Sequence, residues 1–381
     1  MSAVDVPCAL VADPAEDPDY LARQLVTYIG NKRALLGTIA RAIARVKDRL
    51  GKPKLRALDA FAGSGVVSRF LKAHCEYLAS NDIEDYAEVL AQCHLANRSA
   101  VDLRESAACV AELNANVDAA PLSRGFIEAL YAPADEANIT TRDRVFYTRA
   151  NARRLDNYRR MLDVLPHAQR ILLLGPLLAR ASVHANTAGV FKGFYKNRRT
   201  QAGQFGGSGS DALGRILGEI VLEVPVLSRF ECAVAVFKRD ANALAREREL
   251  RDLDVAYLDP PYNQHPYGSN YFMLNLIANY REPAEVSEVA GIPADWQRSG
   301  YNVRSRSLPL LADLAEAIDS RFLLVSFNDE GFIAPAEMRA MLGRLGTVDV
   351  IETQYNAFRG SRNFDSRPIH VTEQLFLVEK R

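Results

Sequence analysis

A short apolar run at residues 55–60 leads without a break into Phe61-Ala62-Gly63-Ser64-Gly65, and this junction limits the possible folds more than any other stretch of the chain. Glycines placed directly after a strand let the backbone reverse sharply and let a ligand approach it closely. The pattern predicts a helix over 66–74 and a second strand over 77–81 that ends at Asp82. Strand, glycine turn, helix, strand and terminal acid form the first half of a nucleotide-binding α/β sheet. A dinucleotide site would want a third glycine three residues after Gly65, where Ser68 stands. The Gly-x-Gly spacing, with Asp59 at the strand end, suits instead a cofactor with an adenosine and an amino acid but no phosphate. Asp82 is then placed to accept ribose hydroxyls. Taken alone, the cluster also reads as a plain tight turn.

A second strand end carries chemistry. The apolar run at 255–258 is followed at once by Asp259-Pro260-Pro261-Tyr262. Two prolines fix the backbone and leave no donor N–H. Backbone carbonyls and the Asp259 carboxylate can therefore face one substrate amine as acceptors, with an aromatic ring beside them to stack on a base. Such a site suits transfer to an amine attached to a planar ring. The alternative is a proline-rich turn of no function, and the glycine turn earlier in the chain argues against it.

The 381 residues suffice for one large domain with an insertion, or for two domains. Residues 1–20, with Pro7, Pro14 and Pro18, read as a loose arm. A helix is predicted over 30–50, where Leu35, Leu36, Ile39, Ile43 and Val46 recur at helical spacing. Residues 83–183 read as mostly helical, and 184–210 as a hairpin and a loop containing Gly203, Gly206, Gly207 and Gly209. Later strands are predicted at 232–237, 255–258, 322–327, 348–354 and 374–378. The simplest account is one parallel sheet interrupted by an insertion. A catalytic domain then takes 21–95 and 229–381, and the insertion takes 96–228.

The longest apolar runs, such as 171–174, are far too short to cross a bilayer, and the N-terminus has no basic region of a signal peptide. A cytoplasmic chain without a membrane partner is the expectation. Cysteines 8, 75, 93, 109 and 232 are scattered and odd in number, as reduced thiols would be. The pairs His74-Cys75 and Cys93-His94 lack the two-residue gap of a metal knuckle, so no metal is expected. Net charge is zero, yet residues 141–200 hold 13 Lys and Arg against 3 Asp and Glu, while residues 78–140 hold 3 against 11. A local basic block is what phosphate binding requires. A solvated helical face has the same composition.

With these clusters in order, the chain resembles the Dam-like family of N6-adenine DNA methyltransferases. Tyr28-Ile29-Gly30-Asn31-Lys32 resembles that family's N-terminal motif, which packs over the methionine end of the cofactor. Phe61-Ala62-Gly63-Ser64-Gly65 resembles its cofactor loop, Asp240-Ala241 the segment that meets the cofactor's adenine, and Asp259 to Tyr262 its catalytic motif. Asn186-Thr187-Ala188-Gly189-Val190-Phe191-Lys192 resembles its DNA-contacting hairpin. Lys192, Lys196, Arg198 and Arg199 follow there, interleaved with Phe194 and Tyr195. Tyr355 to Asn363, with Arg359 and Arg362, is similar to a loop of relatives that accompany restriction systems. The resemblance covers about residues 25–95 and 180–380.

The resemblance implies a Rossmann-like sheet with an inserted, mainly helical target-recognition domain. It implies S-adenosylmethionine as cofactor, double-stranded DNA as partner, and a cognate restriction endonuclease as a further candidate partner. Adenine inside a duplex must leave the stack to be methylated, at a cost of a few kcal/mol. Tyr262 would stack on the extruded ring, while Asp259 and the Pro260 carbonyl accept the two N6 protons. Arg359 and Arg362 would clamp a phosphate, and the 203–209 loop either closes on DNA or serves as a linker. Cytosine-N4 methyltransferases use similar chemistry but usually carry Ser in place of Asp259. Ribosomal RNA methyltransferases can share Asp-Pro-Pro-Tyr, but the basic insertion and the N-terminal motif argue against them. A non-enzymatic DNA-binding relative would be expected to lose Gly63 or Asp259.

Overall fold

A computed structural model describes residues 13–119, 124–207, 212–328, 331–356 and 370–381. Among them seven strands form one sheet: β1 Leu55–Asp59, β2 Cys75–Asp82, β3 Ala233–Lys238, β4 Leu253–Leu258, β5 Ser320–Asn328, β6 Gly346–Asn356 and β7 His370–Lys380. Their order is β3-β2-β1-β4-β5-β7-β6. Strands β1 to β5 pair in parallel, but β7 runs antiparallel to both β5 and β6. This corrects the expectation of a wholly parallel sheet. β6 and β7 follow each other in the chain and pair from Gly346↔Lys380 to Asn356↔His370. Antiparallel neighbours can form such a hairpin, whereas parallel neighbours need a long crossover.

Every residue of β4 is buried, as both faces of a covered parallel sheet require. On one face the helix Leu36–Leu50 lies over β7, and its Leu36, Ile39, Ala42, Ile43 and Val46 share a core with residues of β1, β4, β5 and β7. It begins later than the predicted helix because Gly30 takes φ +74 and Asn31 caps a 3-10 turn, Lys32–Leu35, by accepting from the Arg33 N–H at 2.9 Å. On the other face lie the helices Arg304–Ala317 and Pro335–Gly343.

Between β2 and β3 the chain forms the helices Asp85–His94, Leu103–Asn116, Phe126–Tyr131, Arg149–Asp163 and His167–Val183. Leu155, Tyr158, Leu162, Leu173 and Leu177 share one core with Tyr86 and Leu90 of the first of these, and with Phe272 and Ile277 of helix Phe272–Asn279. Each fully buried leucine contributes about 1.5–3 kcal/mol, so this core ties the helices firmly to Asp85–His94, which itself packs on β2 and β3. The crossing of Asp85–His94 with His167–Val183 is tight. A Cβ on Gly175 would lie 2.6 Å from the Cys93 sulfur, whose thiol donates to the Leu172 carbonyl at 3.1 Å. Cys93 thus has a packing role, and His74 lies against Phe70 at 4.6 Å. Among the described residues no group of three His, Cys, Asp or Glu could hold a metal ion, and no helix is long and apolar enough to cross a membrane.

From β1 the chain moves outward through β2 to β3, then returns to place β4 on the other side of β1. The crevice at the carboxyl ends of β1 and β4 is therefore the topological switch point, where α/β sheets bind ligands.

Candidate active site

The glycine turn is held rigidly from below. Ala60 N–H donates to the Tyr257 carbonyl at 3.0 Å and Ala62 N–H to the Asn81 carbonyl at 2.8 Å, so β4 and β2 both fix its path. Gly63 N–H donates to Asp82 Oδ2 at 2.7 Å, and Glu84 N–H to Asp82 Oδ1 at 3.0 Å. Gly63 adopts φ +52, and a Cβ there would lie 2.8 Å from the Tyr28 hydroxyl. Glycine is required by both conformation and space. Tyr28 itself is clamped in a stack, 5.1 Å from the Tyr267 ring and 4.7 Å from the Tyr271 ring.

Three carboxylates face this turn. Asp59 is 1% exposed and accepts from Ser68 Oγ at 2.6 Å through Oδ2, while among the described residues its buried Oδ1 has no hydrogen-bond partner. Burial pushes its carboxyl up to about 7. Asp82 is also pushed up by burial, against the backbone N–H groups of Gly63, Glu84 and Ile83 that favour its anion. Glu84 is pushed up to about 8 by burial, with Asp82 adding to the effect, and it accepts from Asn275 Nδ2 at 2.6 Å. Sequence reasoning missed Glu84, which looked like one more acid of an acidic block.

At the end of β4 the site becomes ionic. Lys32, 3% exposed, places its Nζ 3.1 Å from Asp259 Oδ1 and 2.7 Å from Glu373 Oε1. Those two carboxylates hold the ammonium ionised despite burial, well above its ordinary pKa. Burial pushes Asp259 up to about 7; Lys32 draws it down, and Glu373 raises it. Pro260 is buried, and Pro261 faces the cleft. The Tyr262 ring is 8% exposed, does not line the cleft, and packs edge-on against Phe327 at 5.9 Å within the core of the sheet. Its hydroxyl lies over Gly30, where a Cβ would come within 3.3 Å.

One cleft collects most of the residues singled out from sequence. Tyr28, Gly30, Asn31 and Lys32 line it from the N-terminal segment, and Asp59, Phe61, Ala62, Gly63 and Ser64 from the β1 turn. Asp82, Asp240, Ala241, Asp259 and Pro261 complete the expected set, while Gly65, Pro260 and Tyr262 stand behind it. Asp240 caps a short helix, Ala241–Leu244, by accepting from Ala243 N–H at 3.0 Å. The structure adds Tyr267, Tyr301 and Asn302. Tyr301 meets Phe61 edge-on at 5.3 Å and donates to Asn242 Oδ1 at 2.8 Å. No local motif marks Tyr301 or Asn302, whereas Tyr267 and Tyr271 fall one helical turn apart just after Asp-Pro-Pro-Tyr.

The basic block has two fates. Arg149 and Arg153 pair with Glu128, Arg154 with Asp118 and Glu219, Arg159 with Asp163, and Arg180 with Glu223. Much of its charge is therefore neutralised by neighbouring acids. Residues 195–204 form a hairpin, with Asn197 N–H donating to the Ala202 carbonyl at 2.9 Å and Gln204 N–H to the Tyr195 carbonyl at 2.9 Å. Among the described residues no ion pair involves Lys192, Lys196, Arg198 or Arg199, and all but Lys196 are exposed. Lys196 lies over the Phe194 ring at 5.2 Å, and Phe194 packs on Phe146 at 5.2 Å. Arg359, Arg362 and Gly209 lie outside the described residues.

Sheet order, a cleft at the switch point and a strand-end acid held by a buried lysine define an α/β protein with one cleft at the carboxyl edge of its sheet. Residues 28–215 and 221–341 match the family described as D12 class N6 adenine-specific DNA methyltransferase, and the chain belongs to that family. It is an adenine-specific DNA methyltransferase, and its substrate is DNA. It is 27% identical over 363 residues to the type II methyltransferase M.NlaIII of Neisseria lactamica, covering 93% of this chain and 99% of that one. It is 24% identical over 361 residues to the type II methyltransferase M.CviAII of Paramecium bursaria Chlorella virus 1, covering 93% and 98%. Modification methylase StsI of Streptococcus sanguinis is 25% identical over 371 residues, and the chain spans 52% of its length.

Proposed function

We propose that the chain binds S-adenosylmethionine in the switch-point cleft and methylates N6 of an adenine flipped out of a specific double-stranded DNA sequence. The observation that carries this reading is that Asp259 and the glycine turn open into one cleft. The lining suits this cofactor. Among the described residues its two cations, Lys32 and Arg239, are already paired to Asp259 and Glu373 and to Glu247, so neither is held for a pyrophosphate. The buried Asp59 Oδ1, without a hydrogen-bond partner among the described residues, offers an acceptor instead. Asp82 and Glu84 face the ribose side, Tyr28 and Asn31 the methionine side, and Phe61, Asp240, Ala241 and Tyr301 enclose the adenine.

When bound, the cofactor supplies an electrophilic methyl group on a sulfonium, itself a good leaving group. The work of the protein is positioning and electrostatics. Asp259 and the Pro260 carbonyl accept from the two N6 protons, which draws the nitrogen lone pair out of conjugation with the ring. Tyr262, packed on Phe327 here, stacks on the extruded base. Residues 96–228 form the target-recognition insertion, with Lys192, Lys196, Arg198 and Arg199 on phosphates; Arg359 and Arg362 act beside the flipped base. Relatives named as type II methyltransferases support a place in a restriction–modification pair, with a cognate endonuclease as partner.

The test is transfer of a labelled methyl group to duplex DNA, followed by hydrolysis to nucleosides. N6-methyladenine is the expected product. A Tyr262→Ala variant should be much slower on the duplex and less impaired where the target adenine is mispaired, since a mispaired base is cheaper to extrude. Equal losses on both substrates, with a large fall in melting temperature, would confine Tyr262 to the core.

A further inference from the structure

Glu373 sits on β7, 341 residues from Lys32 in sequence, and its side chain is 2% exposed. Its Oε1 accepts from Lys32 Nζ at 2.7 Å and from Ser326 Oγ at 2.5 Å. A buried carboxylate is unfavourable unless it is paired, so an apolar residue would serve the strand better. Neutrality does not explain it either, because Asp259 alone would balance Lys32. One ammonium therefore spans two carboxylates, and the contact to Glu373 is the shorter.

We propose that Glu373 is a positioning residue for methyl transfer: it holds the Lys32 ammonium back against β5 and β7, so that the Asp259 carboxylate keeps acceptor capacity for the amine. This rests on the reading of Asp259 as the N6 acceptor. Without Glu373 the ammonium would turn wholly to Asp259 and compete with substrate for its lone pairs. The charged and titratable groups facing Asp259 are Lys32 from the N-terminal turn, Glu373 from β7, Asp59 from β1, Tyr257 from β4, and Tyr262 and Tyr267. Glu373 and Asp59 raise the Asp259 carboxyl and Lys32 lowers it. Removing the Glu373 charge therefore lets Asp259 ionise at lower pH.

The experiment is single-turnover methylation across the neutral pH range, on a duplex carrying the sequence that the parent protein methylates. Glu373→Gln should reduce the plateau rate constant by about tenfold to a hundredfold, the scale of loss from a small misplacement of reacting groups. It should also move the acid limb to lower pH and leave cofactor affinity unchanged. Glu373→Asp keeps the charge but withdraws it from Lys32, and should give a smaller loss with a shift in the same direction; it stands in if Glu373→Gln does not fold. A parent-like rate with an unmoved acid limb overturns the proposal, as does a lower melting temperature with an unmoved limb. Asp259→Ala, run alongside, separates the two ideas. Transfer that survives in it removes the acceptor reading itself. An inactive Asp259→Ala with an unmoved Glu373→Gln profile removes only the role of Glu373.

Discussion

The cleft at the carboxyl edge of the sheet and the hairpin at 195–204 hold their charges in opposite ways. In the cleft, Lys32 is buried between Asp259 and Glu373, and Arg239 is tied to Glu247. In the hairpin region, Lys192, Lys196, Arg198 and Arg199 take no ion-pair partner among the described residues. The helices that carry the hairpin resemble the cleft in this respect, since Arg149, Arg153, Arg154, Arg159 and Arg180 are all paired. A run of basic residues therefore does not by itself mark a nucleic-acid surface; in the proposed function, the cations left without an ion-pair partner among the described residues are the ones that meet DNA. Paired cations organise the protein, and the proposal leaves the unpaired ones for phosphates.

The contrast can be broken most forcefully at Lys32. Lys32→Met strands two buried carboxylates and should destabilise the fold by about 3–5 kcal/mol at neutral pH, the usual cost of breaking a buried pair. The loss should shrink as pH falls, because the folded variant then takes up a proton on Asp259, which burial raises, that the unfolded chain does not bind until lower pH. Chemical denaturation at two pH values measures this, and a pH-independent loss would mean that Lys32 is only packing. Gly63→Val comes next. The left-handed φ costs about 1–3 kcal/mol for a branched residue, and the side chain collides with Tyr28. Calorimetry should find S-adenosylmethionine binding lost while the chain stays folded, and unchanged affinity would reduce the turn to scaffolding.

The hairpin gives the reverse signature. Replacing Lys196, Arg198 and Arg199 together with Ala should leave stability within about 0.5 kcal/mol of the parent, as for ordinary surface changes. DNA affinity should fall, and the slope of log K against log salt should flatten by roughly one unit for each lost phosphate contact. An unaltered slope would move the DNA surface elsewhere. Arg154→Ala is the control: it removes pairs to Asp118 and Glu219 and a hydrogen bond to the Ile220 carbonyl, so it should lower stability with no change in salt slope. A slope change there would erase the distinction between paired and unpaired cations.

Much of the sheet was readable because strand ends carry punctuation. Gly63 and Gly65 after β1, and Pro260 and Pro261 after β4, mark where the chain leaves the sheet, and the cleft lies between those marks. The hairpin register that reverses β7 was not readable, because apolar strands look alike whichever way they run. Glu373 was invisible for a related reason. One acid in a C-terminal strand gains meaning only when folding brings it to Lys32. The glycine turn was located correctly, but the need for glycine at position 63 also comes from Tyr28, a contact between distant segments. The two charge blocks, opposite in sign and adjacent in sequence, pair with each other in part, which a count by segment cannot show.

The central claim is that cofactor cleft and strand-end acid form one site with separable duties. It is tested most directly by measuring S-adenosylmethionine affinity and single-turnover formation of N6-methyladenine on the same preparation of Asp259→Ala. The account predicts parent-like cofactor affinity with methyl transfer abolished. Transfer at more than a few per cent of the parent rate, in a variant that still binds the cofactor, would contradict it.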